Sequence, residues 1–219
     1  RKPEMEQVYN IRRGTVSTDV NLLKESGVDF PPVITKLDAA AEKLVTLDSS
    51  VNEKILLHGT KPELALSIIH NGLNEKLSGG LFGKGVYMAE DPSKVDQYCT
   101  QDTKSGQGAD MVQKLQALLY RDGAAHKGNL FYCFVARAVL GVPIFTKDGE
   151  NNMFEPHQPI FVTAEKRELA QIPHSLPPIH YHALIADAGK GHKVERHREF
   201  VVFDGSRIVL EYIVAYQRV

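Results

Sequence analysis

The C-terminal segment constrains the fold of this chain most. Glu199-Phe200-Val201-Val202-Phe203 and Ile208 to Tyr216 are runs of β-branched and aromatic residues, separated by Asp204-Gly205. Side chains of that kind pack well on a pleated surface, and Asp-Gly is a favoured pair for a two-residue turn. The pattern predicts a β-hairpin, and with it an antiparallel sheet. Leu130 to Ala138 predicts a long central strand. Ile55-Leu56-Leu57, ending at His58-Gly59, predicts a short buried one, and Val86-Tyr87-Met88-Ala89 another. Helices fall among these strands without βαβ regularity. The expected fold is therefore α+β, with mixed, mainly antiparallel sheets and short helices.

The helix signals are local. In the mostly polar stretch over residues 1–50, Val33, Ile34, Leu37, Ala41, Leu44 and Val45 recur at helical spacing after Pro31-Pro32. Thr60, with Glu63 three positions on, has the form of a capping box. It would open a helix with Leu64, Ile68 and Ile69 on its apolar face and Asn71-Gly72 as its stop. Asp91-Pro92 pairs an N-cap with a first helical residue, opening a helix that carries Tyr98. Another helix is predicted near Met111 to Tyr120, after a polar loop at residues 101–110. Lys147 to Pro178, dense in Pro, Gly and Asn, predicts irregular chain.

Composition narrows the function classes. Of 219 residues, 42% are hydrophobic and 24% charged, and the net charge is −1. That balance suits an ordinary globular core and argues against a dedicated nucleic-acid module, which needs an excess of Lys and Arg on one face. Cys99 and Cys133 form no Cys-x-x-Cys pair. Two such thiols fit a reducing, intracellular compartment, nuclear or cytoplasmic. The most apolar stretch, Leu130 to Phe145, is broken by Arg137 and Gly141 and is too short to span a membrane. The chain opens on Arg1, which predicts a piece of a longer protein.

Three features invite chemical readings that their neighbours argue against. The loop Gly79-Gly80-Leu81-Phe82-Gly83-Lys84-Gly85 has no Ser or Thr after Lys84, as a P-loop requires, and it leads into a strand rather than a helix. His174, His180, His182, His192 and His197 are scattered. Only His180 and His182 would share a strand face, so no metal site is expected. Glu199, taken alone, reads as a charge guarding an apolar strand against edge pairing. Tyr87 and Tyr98, taken alone, read as ordinary packing.

Taken in order, the motifs say more. Leu57-His58-Gly59-Thr60, Gly83-Lys84-Gly85-Val86-Tyr87-Met88-Ala89, Ser93-Lys94 with Tyr98, and Glu199 to Phe203 together resemble the poly(ADP-ribose) polymerase catalytic domain. This is the diphtheria-toxin-like ADP-ribosyltransferase class with a His-Tyr-Glu triad, and the likeness runs from about Lys54 to the C-terminus. The resemblance implies one catalytic domain over residues 1–219, with an N-terminal helical or irregular part at 1–50 and an NAD-binding core at 51–219. It implies NAD⁺ as substrate and protein acceptors, the chain itself included. His58, Tyr87 and Glu199 become the catalytic set. His58, Gly59, Thr60, Tyr87, Tyr98 and Val95 become the NAD-binding positions.

The implied roles are chemically coherent. By the resemblance, His58 bonds the adenosine ribose and the Gly59 backbone pairs with the nicotinamide carboxamide. Tyr87 and Tyr98 line the pyridinium ring, a cation held by aromatic faces at about 1–2 kcal/mol when desolvated. Glu199 bonds the 2′-hydroxyl of the nicotinamide ribose, beside a sugar centre that becomes cation-like as the bond breaks. Because pyridinium is already a cationic leaving group, no Lewis acid is needed. Glu199 also permits polymer elongation without guaranteeing it. Val95 stands where many relatives carry a serine whose hydroxyl bonds the nicotinamide amide. About fifty-seven residues precede His58, too few for the helical regulatory domain of DNA-damage-activated members, so that domain is expected to be missing.

Overall fold

The computed structural model describes residues 2–103, 108–121 and 125–218. Its first element is one the sequence pattern did not signal. Helix α1 (Pro3–Glu25) places Tyr9, Val16, Val20 and Leu23 in the core. Those four positions are diluted among polar residues, and Val8 and Ile11 point outward, so the helical period is hard to see. The predicted helix over 33–45 shrinks to one turn, α2 (Asp38–Ala41). Its first residues are held elsewhere: the Val33 amide donates to Asn52 Oδ1 at 2.8 Å, and the Thr35 amide and hydroxyl both donate to the Asp38 carboxylate. Such side-chain bonds offer the backbone an alternative to the helix.

Strand β1 (Glu53–Gly59) leads to helix α3 (Pro62–Asn71), which ends at Gly72 with φ of 77°. The expected capping box does not form. Lys61 is the N-cap, extended and without a side-chain cap bond, while Thr60 is buried upstream. Pro62 explains the shift, because the residue before a proline is driven out of the helical region and takes the cap position. The buried face is Pro62, Ala65 and Leu66, with Ile68 and Ile69 partly covered and Leu64 turned outward.

Strand β2 (Val86–Met88) is followed by α4 (Pro92–Asp96), with Asp91 Oδ1 capping the Ser93 amide at 2.9 Å. Tyr98 lies just beyond this short helix, in the turn that closes it. Helix α5 (Ala109–Leu119) then buries Val112 and Leu115. Within the loop expected at 101–110, residues 104–107 lie outside the described residues. The remaining strands are β3 (Phe131–Val139), β4 (Pro143–Thr146), β5 (Ala183–Ala186), β6 (Glu199–Val202) and β7 (Ile208–Tyr216). Residues 147–178 form no regular strand or helix.

Two sheets result, in strand orders β1-β3-β7 and β2-β6-β5-β4, with every pairing antiparallel except β4 with β5. The predicted hairpin is therefore wrong in its pairing: β6 and β7 are consecutive but belong to different sheets. Asp204 has φ of −138°, which a type I′ turn forbids, and it caps a 3₁₀ turn over Gly205–Arg207. Gly205 is required for another reason, since a Cβ there would lie 2.1 Å from the Leu73 carbonyl oxygen. Crossing between sheets lets Phe200 and Val202 from one and Ile208 from the other meet in a common core with Leu56, Ala136, Val86 and Ile185. The turn thus serves the core between the sheets.

Alternation along the second sheet decides where chemistry can occur. Val86, Met88, Phe200 and Val202 point into that shared core, so Tyr87, Glu199 and Val201 fall on the opposite face. The irregular 147–178 segment covers part of that face, burying Val201, Leu184 and Ala186 beneath Ile160, Phe161 and Leu169. Glu199 and Tyr87 lie at its uncovered end.

Candidate active site

The site forms at the seam between the sheets. Leu57 and Ala89 exchange both backbone hydrogen bonds (2.8 and 2.9 Å), tying the end of β1 to the end of β2. His58 thereby lies beside Tyr87, and its Nδ1 is 2.8 Å from the Tyr87 carbonyl oxygen. A carbonyl can only accept, so Nδ1 carries the proton and Nε2 presents a lone pair. Burial lowers the His58 pKa, opposed by that carbonyl, which keeps the imidazole neutral in this role.

The cleft has a volume of about 430 Å³ and is lined by His58, Gly59, Tyr87, Val95, Tyr98 and Glu199, with Leu57, Met88, Ala89, Lys94, Val194 and the loop residues Ser78 to Leu81 completing the wall. Every sequence-predicted site residue except Thr60 thus lines this one cleft. Thr60 is buried behind Gly59 and is not among the lining residues, because the strand ends there and the chain turns into α3.

The Tyr87 phenol is occupied on both sides. It accepts from the Phe82 amide and donates to the Gly83 carbonyl, each at 2.8 Å, which fixes the ring as a wall. Burial is the main cause of its raised pKa. Gly80 lies flush against this ring, where a Cβ would come within 2.7 Å of Cζ. The Gly79-Gly80 turn is therefore docked on Tyr87 at the edge of the cleft. Opposite it, Gly59 faces α4 so closely that a Cβ would stand 2.2 Å from the Val95 carbonyl oxygen.

Lys94 is the functional candidate that sequence reasoning passed over as part of a motif. Its Nζ lies 2.7 Å from Glu199 Oε1 and 3.0 Å from the Tyr98 hydroxyl, and 5.1 Å from the Tyr98 ring centre. Burial works against the ammonium, but Glu199 and Tyr98 outweigh it and hold the Lys94 pKa above its usual value. The i, i+4 spacing of Lys94 and Tyr98 was the available signal. Glu199 is only 6% exposed, whereas Tyr98 is 55% exposed at the mouth. A second pair anchors the strand just before Glu199. Arg198 grips Glu90 with two bonds (2.8 and 2.9 Å) and also donates to the Ile34 carbonyl.

The histidines do not converge. His180 bonds the Leu169 carbonyl, while buried His182 lies with Nε2 3.2 Å from Asp19. Among the described residues, no group of three or more His, Cys, Asp or Glu side chains could hold a metal ion, and no helix is long and apolar enough to cross a membrane.

A 59-residue segment is 34% identical to the protein mono-ADP-ribosyltransferase PARP11 of Homo sapiens, and equally to that of Mus musculus, covering 26% of this chain and 18% of those proteins. A 65-residue segment is 35% identical to the poly [ADP-ribose] polymerase tankyrase of Caenorhabditis elegans, covering 27% of this chain and 3% of that protein. The matched segments span less than a fifth of each relative's length. The model of the poly(ADP-ribose) polymerase catalytic domain matches residues 33–218, which takes in both sheets and the cleft-lining residues but not α1. The chain belongs to the poly(ADP-ribose) polymerase catalytic domain family.

Proposed function

We propose that the cleft binds NAD⁺ and that the chain cleaves its nicotinamide–ribose bond, passing ADP-ribose to a macromolecular acceptor. The observation that carries this reading is the convergence of a neutral imidazole, a clamped tyrosine ring and a lysine-paired carboxylate on one cleft. His58 Nε2 accepts from an adenosine ribose hydroxyl. The Gly59 backbone meets the carboxamide, and Tyr87 and Tyr98 flank the pyridinium ring. Glu199 accepts from the 2′-hydroxyl of the nicotinamide ribose and places negative charge beside the sugar carbon as it becomes cationic. Lys94 holds that carboxylate in one orientation, which limits the entropy lost when the sugar docks.

Glu199 also provides the acceptor group that chain extension requires, so the reading includes polymer formation alongside single-unit transfer. The relatives' names cover both outcomes. It also treats residues 1–219 as one catalytic unit. Helix α1 supports this, because Arg137 on β3 lies 3.6 Å from both Glu6 and Glu53, and the Tyr9 hydroxyl donates to Glu53. The test is incubation with labelled NAD⁺, following nicotinamide release and resolving the products by gel. Transfer gives free nicotinamide with a single shift or a smear of labelled protein. NAD⁺ binding without nicotinamide release would leave a non-catalytic binding domain in its place.

A further inference from the structure

The end of helix α1 shapes a second cavity. Gly27 takes a left-handed φ of 75°, and the Gly27 and Val28 amides donate back to the Lys24 and Leu23 carbonyls at 3.0 and 2.9 Å. These two bonds form the glycine stop of a helix, and Val28 packs on the same core as Leu23. The chain beyond is therefore fixed, with the Phe30 amide donating to Asp29 Oδ1 at 2.9 Å. Between this segment, strand β4 and the irregular chain after β4 lies a cavity of about 600 Å³. It shares no lining residue with the cleft of His58 and Glu199. Strand β4 is the far edge of the sheet whose first strand carries Tyr87, and residues 26–31 precede the stretch matched by the family model.

Phe30, Phe145, Phe154 and Tyr181 line this cavity, over an inner wall of buried Ile144 and Ile172. Phe145 and Phe154 meet edge to face, with ring centres 5.5 Å apart at 69°. Their backbone is held: the Met153 amide donates to the Phe145 carbonyl at 2.7 Å, and the Phe154 amide to Asn152 Oδ1 at 3.1 Å. Phe154 is nevertheless 63% exposed, a large ring that its own chain leaves uncovered. Asp29 and Glu155 are exposed lining residues, and neither makes an ion pair among the described residues. Burial raises the Tyr181 pKa and the Glu155 charge adds to it, against hydrogen bonds with Asn152 and Gln158. No Lys or Arg lines the cavity. Exposed Lys24 places Nζ 5.8 Å from the Phe30 ring centre, so one of these rings already takes a cation on its face, and the two acids outnumber it.

We propose that this cavity binds the side chain of a trimethylated lysine on a partner protein, its head among the four rings and its charge balanced by Asp29 and Glu155. Aromatic faces attract a cation through the ring quadrupole, and alkylated ammonium groups are held in this way. A plain ammonium is strongly hydrated and needs an acceptor for each N–H. Here the Asn152 amide is already bonded through both its atoms, to the Phe154 amide and the Gln158 side chain. Methylation removes that need and spreads the charge over methyl groups that pack on rings. The volume exceeds that of a bare tetramethylammonium ion, leaving room for the alkyl stem of a lysine. The exposed positions of Asp29, Phe154 and Glu155 let that stem remain attached to a chain. None of these residues takes part in the proposed NAD⁺ chemistry.

The test is isothermal titration with short Gly-Ser peptides that differ at one residue. One carries trimethyl-lysine, one lysine, and one the neutral isostere with carbon in place of the quaternary nitrogen. Wild type should bind the first, and the other two more weakly by about tenfold or more. Phe154→Ala should weaken trimethyl-lysine binding by about fivefold to thirtyfold, the worth of one desolvated cation–π contact. Should Phe154→Ala lower the Tm, Phe154→Leu keeps the apolar bulk without the aromatic face and should show the same loss. Asp29→Asn combined with Glu155→Gln should weaken binding and remove most of its salt dependence. Equal affinity for the neutral isostere would overturn the proposal, as would the absence of saturable binding or unchanged affinity in the Phe154 variants. Choline binding as tightly as the peptide would overturn the partner protein and leave a free quaternary amine as the ligand.

Discussion

Gly59→Ala adds one methyl group where the structure has no room for it. The new Cβ would stand 2.2 Å from the Val95 carbonyl oxygen, 3.0 Å from Val95 Cγ1 and 3.1 Å from Cys99 Sγ. Carbon–oxygen contacts between backbones settle at about 3.3–3.6 Å, so β1 and α4 must part by more than about 1 Å. Over-packing of this kind costs about 1–3 kcal/mol. For a chain of this size each kcal/mol lowers Tm by about 2–4 °C, so a fall of about 2–12 °C is expected. Activity should suffer more than stability. Helix α4 carries Lys94, whose 2.7 Å contact orients Glu199, and Val95, which walls the cleft. A displacement near 1 Å in groups that position a substrate costs about a hundredfold in rate. Gly14→Ala in α1 is the control, since a Cβ there meets nothing within 4 Å. The assay pairs thermal unfolding with nicotinamide release for both variants. A Gly59→Ala protein with wild-type Tm and turnover would refute the packing argument and the role given to α4.

Three further outcomes follow from the same geometry. Glu199→Gln keeps the side-chain shape but removes the charge facing Lys94, so any polymer should vanish and nicotinamide release should fall by about 10²–10³; long chains from the variant, seen on a gel, would move elongation to another residue. Val95 lines the cleft with its methyl against Gly59. Val95→Ser should therefore tighten a simple benzamide by a few-fold to about tenfold, the worth of one neutral hydrogen bond, and equal titrations would show that the hydroxyl does not reach the ligand. Burial lowers the pKa of His58, against the Tyr87 carbonyl, and of His182, against Asp19. Both return to about 6.5 on unfolding, so the unfolded chain binds more protons just below that pH and stability falls as pH drops through the window. Melting curves at about pH 7.5 and 5.5 should show a lower Tm in acid, with a smaller difference in His182→Gln; a flat profile would contradict the burial of the two rings. The lowered carboxylates, Asp38, Asp91, Asp96, Asp102, Asp148 and Asp204, act at more acidic pH and do not enter this window.

What the sequence determined by itself was local. The apolar runs of β1, β2, β3 and β7 each became strands, because period and β-branching act within a few residues. Asp91-Pro92 and Gly72 marked helix ends by their own backbone chemistry. The site residues His58, Tyr87 and Glu199 were legible as ordered motifs, though nothing in their spacing showed that they would meet. Their meeting depended on tertiary contacts: the Leu57–Ala89 bridge brings β1 to β2, and strand alternation turns Tyr87 and Glu199 to one face. The same contacts separated β6 from β7, because Phe200 and Val202 of one sheet and Ile208 of the other are buried in one shared core. Lys94 acquired its role in this way too, because a charge becomes part of a site only when folding sets its partner 2.7 Å away. Helix α1 was lost to the sequence reading for the converse reason. Its four buried side chains are covered by β3, β7 and the 172–181 segment, a surface that exists only once the sheets have formed.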